Sequence, residues 1–151
     1  MTRATRNLSL PLLALLAVAL SFAPAEAQET GKEAIGSSGL FSRAVRVGDL
    51  LFLSGALGTV PGQGLAEGGV QAETRQAIQN MQGVLEQAGA TLNDLVKCTV
   101  FLADMADYGP MNEVYREMIP SPKPARSAIG VNGLALSASV EIECIAAAPP
   151  R

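Results

Sequence analysis

The chain has 151 residues, of which 11 are Lys or Arg, 14 are Asp or Glu and none is His. Without histidine, the chain cannot build a Ser-His-Asp or Cys-His nucleophile, and it lacks the commonest protein ligand of zinc. The acidic balance, with no cluster of Lys or Arg, argues against nucleic acid as a partner, because that partner requires a basic surface.

The first 27 residues have the layout of a secretory signal peptide. Two arginines precede an uncharged apolar run at 8–23, and "AEA" at 25–27 supplies a small-x-small cleavage site. The alternative is a transmembrane anchor, but the run is shorter than the roughly 18–20 residues of a spanning helix and is interrupted by Pro11. We expect cleavage between Ala27 and Gln28 and export to the periplasm, without a stable membrane anchor; a cytoplasmic location is the alternative.

Cleavage there leaves about 124 residues, the size of a single domain, with 9 basic against 13 acidic side chains. Residues 28–40 are mostly polar and rich in glycine, so we expect a flexible leader before one folded domain over residues 41–151. Cys98 and Cys144 are too far apart for a CxxC motif. Both lie in apolar runs, and we favour two buried thiols over the alternative, a disulfide formed in an oxidising compartment.

The hydrophobic periodicity predicts the element order β-β-α-β-α-β-β. Two strands flank a turn at Gly48-Asp49 within residues 44–55, and a mobile, turn-rich loop is expected over 58–69. The spacing becomes helical over 71–88, with Glu73 on the polar side. The remaining predicted elements are a short helical turn (91–95), a strand (96–103), a helix built on Met111, Val114, Tyr115 and Met118, a stop at 120–124, and two strands (125–131 and 139–147).

This order is typical of an α+β fold in which one mixed sheet carries two helices on one face. The other sheet face is also apolar, since Leu51 and Leu53 alternate with Leu50 and Phe52. A sheet that is apolar on both sides needs a second cover, and two helices cover only one side. We therefore expect a partner subunit to cover the open face.

Arg126 is a permanent cation in a strand of small and β-branched residues. Strand alternation puts Arg126, Ala128 and Gly130 on one face, where small neighbours would leave room for an anion that needs the paired donors of a guanidinium. The last strand places Glu141 and Glu143 together on one face. Two interpretations without a ligand stay open: an ion pair between Arg126 and one of these glutamates, or glutamates that face solvent.

Four ordered blocks of the sequence resemble the RidA/YjgF family of reactive-intermediate (enamine/imine) deaminases. They are "TRQAIQNMQGVLEQAGATLNDLVKCTVFLADM", "MNEVY", "PARSAIGV" and "SVEIECIA". The resemblance runs from about Phe41 to Ala147 and implies a chorismate-mutase-like fold and a homotrimer with three clefts between neighbouring subunits. It also implies hydrolysis of 2-imino acids to 2-oxo acids and ammonia, with no cofactor and no metal.

The resemblance implies roles for seven positions. Arg126 would hold the substrate carboxylate as a fork, and Glu141 would orient or activate the attacking water. The main-chain carbonyl of Ala128 would contact the imine nitrogen or that water. The rest of the cleft would consist of the backbone N–H of Gly55, which helps to hold the carboxylate, and of Ser54, Asn112 and Phe41.

Three positions depart from the family pattern. Ala56 stands where many members have Gln, Phe41 where a Tyr often lines the cleft, and Ala128 where close relatives often have Cys. These changes imply an altered substrate preference or a reduced activity. The alternative function is a non-catalytic or chaperone-like trimer that binds small carboxylates or partner proteins in the same clefts.

Overall fold

The computed structural model describes residues 31–150. The signal peptide proposed for residues 1–27 therefore lies outside the described residues. Within the described part of the chain, no helix is both long enough and apolar enough to cross a membrane.

One seven-stranded mixed sheet forms the body of the chain. Its main strands, in spatial order, are β1 (Lys32–Ser37), β2 (Ser42–Val47), β3 (Leu50–Leu53), β9 (Val140–Ala147), β7 (Leu95–Leu102) and β8 (Ala125–Gly130). A short strand, β4 (Ala56–Leu57), also pairs with β9. Neighbouring strands are antiparallel except β7 and β8, which are parallel because a helical crossover connects them.

Two helices, α1 (Gly69–Gln87) and α2 (Tyr108–Met118), cover one face of this sheet. Gly89 follows α1 with φ of +74°, a left-handed conformation that glycine adopts without a Cβ clash. Short 3-10 turns at Leu92–Asp94 and Met105–Asp107 lead into β7 and α2. The predicted α+β class, with two helices on one face of a mixed sheet, is confirmed.

Two segments differ from the sequence prediction. Lys32–Ser37, inside the leader proposed for residues 28–40, form β1 and pair with β2, so the prediction of a flexible leader is wrong for this segment. Only Ile35 of β1 packs against the core, and one apolar side chain in a polar segment is a weak strand signal. The loop predicted over 58–69 contains a small hairpin of β5 (Thr59–Val60) and β6 (Gly64–Leu65).

Cys98 and Cys144 form a disulfide bond. They are directly opposite each other on β7 and β9, their Cα atoms are 4.1 Å apart, and both side chains are buried. The preference for two free thiols is therefore wrong. The sequence separation of 46 residues carries no information about the strand register that brings the two sulfur atoms together.

The sheet face opposite the helices is open and apolar. The large hydrophobic side chains that expose 41% to 50% of their surface there are Leu50, Phe52, Val96 and Ile129. The strand register places Phe52 beside Ile145 and Phe101 beside Ile129, so these side chains form neighbouring pairs on the same face. The prediction of a sheet that is apolar on both sides is confirmed.

Candidate functional site

Arg126 lies on the helix-covered face of the sheet, on the edge strand β8. Its register partner in β7 is the buried Cys98, and its guanidinium reaches α2. The guanidinium carbon is 4.6 Å from the centre of the Tyr115 ring and 5.8 Å from the centre of the Tyr108 ring. Nη2 also donates a long hydrogen bond of 3.4 Å to the Tyr108 hydroxyl. Two aromatic rings therefore fix the position of the cation.

No carboxylate among residues 31–150 pairs with Arg126, so the interpretation of an ion pair with a glutamate is not realised within the chain. Its remaining contact is with the sulfur of Met111, 4.0 Å from Nη1. Beneath the guanidinium, Tyr115 is 5% exposed and its hydroxyl has no hydrogen-bond partner. Burial raises the pKa of Tyr115, and the charge of Arg126 opposes this shift. The guanidinium keeps donors for an anion that comes from outside the chain.

Glu141 lies on the opposite, open face of the same sheet. Its register partner is Phe101, whereas its strand neighbours Val140 and Ile142 are buried against the helices. In one chain, Arg126 and Glu141 are thus separated by the thickness of the sheet. A single chain does not bring together the two side chains with the central predicted roles.

Gly55 lies against the carboxylate of Glu141. A Cβ atom at position 55 would be 2.7 Å from Cδ of Glu141, closer than real Cβ contacts, so only glycine leaves the carboxylate its place. The neighbouring Ser54 is fixed by a hydrogen bond from its Oγ to the carbonyl oxygen of Ser42 (2.8 Å). Of the positions that the family resemblance assigns to one site, Gly55 lies against Glu141, and Ser54 precedes Gly55 in the chain.

A cavity of about 500 Å³ lies beside Gly55. Its wall includes Phe41, Ser54, Gly55 and Ala56. On the α1 side, Asn80 donates through Nδ2 to the carbonyl oxygens of Leu57 and Thr59, both at 2.9 Å. These bonds hold the strand segments beyond Ala56 against α1, and so define the cavity.

Asn112 lies near Arg126 and not near Glu141. Asn112 and Arg126 both line a smaller cavity of about 360 Å³ beside α2. Ala128 is also on the Arg126 side. The N–H of Val131 donates to the carbonyl oxygen of Leu102 in β7 (2.9 Å). Every second residue of β8 directs its backbone groups to β7 in this way, and the residues between them, which include Ala128, direct theirs away from β7. The carbonyl of Ala128 is therefore directed to the free edge of the sheet.

The room expected around Arg126 is partly occupied by the chain itself. A Cβ atom at Gly130 would be 2.8 Å from Cγ of Met105, so the absence of a side chain there accommodates methionine packing. Ala128 packs against the hydrophobic core. The small residues of this face thus serve packing, and the accessible space lies on the Asn112 side.

Three residues that position the site were not predicted from the sequence. Tyr108 and Tyr115 flank Arg126, although the helical pattern indicated only that Tyr115 is part of an apolar stripe. Glu73 was predicted on the polar side of its helix, but it is 5% exposed. Its carboxylate accepts hydrogen bonds from the backbone N–H (2.7 Å) and the hydroxyl (2.9 Å) of Ser139, two residues before Glu141. No periodicity signal distinguishes such a carboxylate from a solvated one.

The sequence profile of the family described as Endoribonuclease L-PSP matches residues 31–148. The chain belongs to this family, which is the RidA/YjgF family. The match begins at β1, so this strand is part of the family domain. The chain also has the fold of this family, and homotrimers are typical of it.

Individual relatives agree with this assignment. "Reactive Intermediate Deaminase A, chloroplastic" of Arabidopsis thaliana is 41% identical over 137 residues, which are 90% of this chain and 73% of that protein. "2-iminobutanoate/2-iminopropanoate deaminase" of Homo sapiens is 40% identical over 119 residues, 78% and 87% of the two chains. The crystal structure of RidA from the Antarctic bacterium Psychrobacter sp. PAMC 21119 gives a TM-score of 0.69 at 39% identity, covering 76% of this chain and 93% of that one.

Proposed function

We propose that the chain is a hydrolytic deaminase that converts 2-imino acids to 2-oxo acids and ammonia. The observation that carries the proposal is the Arg126 guanidinium, which two tyrosine rings hold in place and which has no carboxylate partner within residues 31–150. A fixed guanidinium is suited to bind a carboxylate through paired N–H donors. The names of the two relatives at 40% and 41% identity support the reaction class.

In the proposed reaction, Arg126 and the backbone N–H of Gly55 bind the carboxylate of the imino acid. Glu141 takes a proton from a water molecule whose oxygen bonds to the imine carbon, and passes this proton to the imine nitrogen. Glu141 then takes the hydroxyl proton of the resulting carbinolamine and passes it to the amino nitrogen, the C–N bond breaks, and ammonia and the 2-oxo acid leave. The carbonyl of Ala128, at the free sheet edge, accepts a hydrogen bond from the imine nitrogen or the water. Imines hydrolyse in water unaided, so orientation is the main contribution of the protein.

The complete cleft is proposed to form between two chains of a homotrimer. Arg126 and Glu141 of one chain lie on opposite faces of a sheet, so they cannot act on one substrate. The exposed apolar face supports association, since a second chain would cover it. One chain would contribute Arg126 and the carbonyl of Ala128, with Asn112, and its neighbour would contribute Glu141 with Gly55, Ser54 and Phe41.

Turnover is tested with imino acids generated in situ from several amino acids by an amino-acid oxidase, with semicarbazide as the trap for what remains. Protein starting at Gln28 should lower trapping catalytically, and Arg126→Ala and Glu141→Ala should each lose about 100-fold or more in rate. If wild type turns over no imine, the deaminase proposal fails. A protein in which Arg126→Ala alone abolishes carboxylate binding would then fit the non-catalytic alternative.

Shared clefts are tested by mixing subunits. Neither Arg126→Ala nor Glu141→Ala should be active alone, but trimers reassembled from an equal mixture should contain intact clefts at about a quarter of the positions. The matched control mixes Arg126→Ala with the double variant Arg126→Ala/Glu141→Ala, which forms no intact cleft in either arrangement. Absence of recovered activity in the first mixture, with exchange verified by mass spectrometry, would show that both side chains act within one chain.

Export of the mature chain is part of the proposal. The disulfide between Cys98 and Cys144 supports it, because structural disulfides persist mainly in oxidising compartments. Intact mass of the protein from fractionated cells, before and after thiol alkylation, is the test. A chain that starts near Gln28 and resists alkylation is expected, whereas a full-length cytoplasmic chain with two reactive thiols would contradict export.

The family description also names an endoribonuclease. The charge of the mature chain, 9 basic against 13 acidic side chains, does not favour this activity, because RNA binding releases counterions from a basic surface. No feature of the described residues supports it over the deaminase.

A further inference from the structure

The cavity beside Arg126 is basic. Its volume is about 360 Å³, and the residues that line it are Asn112, Tyr115, Arg116, Lys123, Pro124 and Arg126. Three of these six side chains are cations and none is acidic, in a chain where acidic residues outnumber basic ones. One cation suffices for the carboxylate of a 2-imino acid, so the other two need an explanation.

The acidic residues of α2 are directed elsewhere. Glu113 accepts a hydrogen bond from Nε2 of Gln71 (2.7 Å), and Glu117 forms an ion pair with Arg75 (3.0 Å), both across the interface with α1. The opposite charges of α2 are thus sorted onto different sides of the helix. The side that faces Arg126 keeps its positive charge unneutralised.

Arg116 is the second cation available to a ligand. It lies four residues after Asn112, so the two side chains share one helix face and line the same cavity. No carboxylate of the described residues forms an ion pair with Arg116. Lys123, in contrast, donates from Nζ to the carbonyl oxygens of Arg116 (2.8 Å) and Ile119, where its charge stabilises the C-terminal end of α2.

A buried polar group at the wall of this cavity also lacks a partner. Tyr115 lines the cavity beneath Arg126, and its hydroxyl is buried without a hydrogen bond. The tyrosine ring and Met111 hold Arg126 on one side, while Asn112 and Arg116 lie on the adjacent side of the same helix. The cavity therefore offers two guanidinium groups and a side-chain amide to one ligand.

We propose that this cavity binds a second carboxylate, so that the preferred substrates are 2-imino acids with an acidic side chain. This inference rests on the proposed function, in which Arg126 binds the carboxylate next to the imine carbon. Arg116 then pairs with the side-chain carboxylate, and Asn112 donates its amide N–H to it. Hydrolysis follows the same balance: water adds to the imine carbon, the C–N bond breaks, and ammonia and a 2-oxo dicarboxylate leave.

The test compares imino acids made from glutamate and aspartate with those made from alanine and methionine. Wild type should show a higher kcat/KM for the dicarboxylates, and Arg116→Gln should lower the ratio of dicarboxylate to monocarboxylate kcat/KM by about 10- to 100-fold. Arg75→Gln, which removes a positive charge from a different cavity, should leave both values unchanged. A wild type without the preference, or a ratio that Arg116→Gln does not change, overturns the proposal.

A calorimetric binding experiment tests the second carboxylate site independently of the deaminase activity. The probes are 2-oxoglutarate and 2-oxobutanoate, which are stable and differ in the second carboxylate. Tighter binding of 2-oxoglutarate that Arg116→Gln abolishes supports the second subsite even if no imine is turned over. Equal binding of the two probes by wild type overturns it, whatever the outcome of the turnover assay.

Discussion

The ring of Tyr115 lies 4.6 Å from the guanidinium carbon of Arg126, while its own hydroxyl is buried and meets no partner. The ring of this tyrosine and its hydroxyl therefore have opposite effects on the folded protein. The ring supports a cation that has no carboxylate partner among residues 31–150. The hydroxyl is an unsatisfied polar group in the interior, which disfavours the folded state.

We expect Tyr115→Phe to keep the proposed carboxylate binding by Arg126 and Tyr115→Leu to weaken it. Loss of the ring removes a cation–π contact of about 0.5–2 kcal/mol, which corresponds to roughly 2- to 30-fold weaker carboxylate binding. Phenylalanine keeps the contact and removes the unpartnered hydroxyl, so the free energy of unfolding should rise by about 1 kcal/mol. Calorimetric titration with 2-oxobutanoate and urea unfolding measure the two effects. Equal binding losses in both variants would refute a role for the ring.

The buried Tyr115 should also make the stability of the protein fall at alkaline pH. Burial raises its pKa above the ordinary value of 10.0, so the folded state retains a proton that the unfolded chain loses. The stabilising contribution is complete below pH 10 and is lost as the pH rises through the raised value. Between pH 9 and about 11, the unfolding free energy of wild type should fall more steeply than that of Tyr115→Phe. Parallel curves would contradict this assignment.

Gly55→Ala should reduce activity with little loss of stability. The new Cβ would displace the carboxylate of Glu141, the flexible end of a side chain, whereas the backbone has no need to move. We expect a fall in kcat of about 10-fold or more, because the proposed reaction requires the carboxylate of Glu141 to face the attacking water. The control is Gly83→Ala in α1, where a Cβ meets nothing within 4 Å and alanine favours the helix. A fully active Gly55→Ala would show that the position of Glu141 is not critical.

Glu73→Ala should destabilise the protein by about 1–3 kcal/mol, because the N–H and hydroxyl of the partly buried Ser139 lose their acceptor. Glu73→Gln retains one acceptor oxygen and should lie between wild type and alanine. Thermal unfolding measures the stability of each variant. Turnover at a temperature where all variants are folded tests whether the loss of these bonds also displaces Glu141. If alanine and glutamine variants are equally unstable, the hydrogen bonds to Ser139 are not the reason.

Reduction of the Cys98–Cys144 disulfide should lower the free energy of unfolding by about 2–4 kcal/mol, because the bond restricts the unfolded chain. Guanidinium unfolding with and without reductant measures the difference. In Cys98→Ala/Cys144→Ala, the reductant should have no effect. Equal stability of oxidised and reduced wild type would mean that the bond contributes nothing to folding.

Local sequence patterns determined the elements of this fold. Apolar spacing along α1 and strand-like runs around Cys98 and Cys144 each record burial of one face, which is a local property of the chain. The resemblance to a family singled out Arg126 and Glu141 in the same way, from short segments. These patterns missed β1, where only Ile35 packs against the core, and the small hairpin of β5 and β6.

The relationships between elements were decided only by the tertiary structure. Register pairs Cys98 with Cys144 and places Arg126 on the face opposite Glu141, and register depends on how distant segments meet. Packing likewise turned Glu73 from an expected surface residue into the buried acceptor of Ser139. The sequence by itself therefore determined the elements and, through the family resemblance, the two side chains proposed to bind a carboxylate and a water, Arg126 and Glu141. Only the folded sheet showed that one chain carries them on opposite faces, because periodicity defines the faces of a strand but not which face meets the helices.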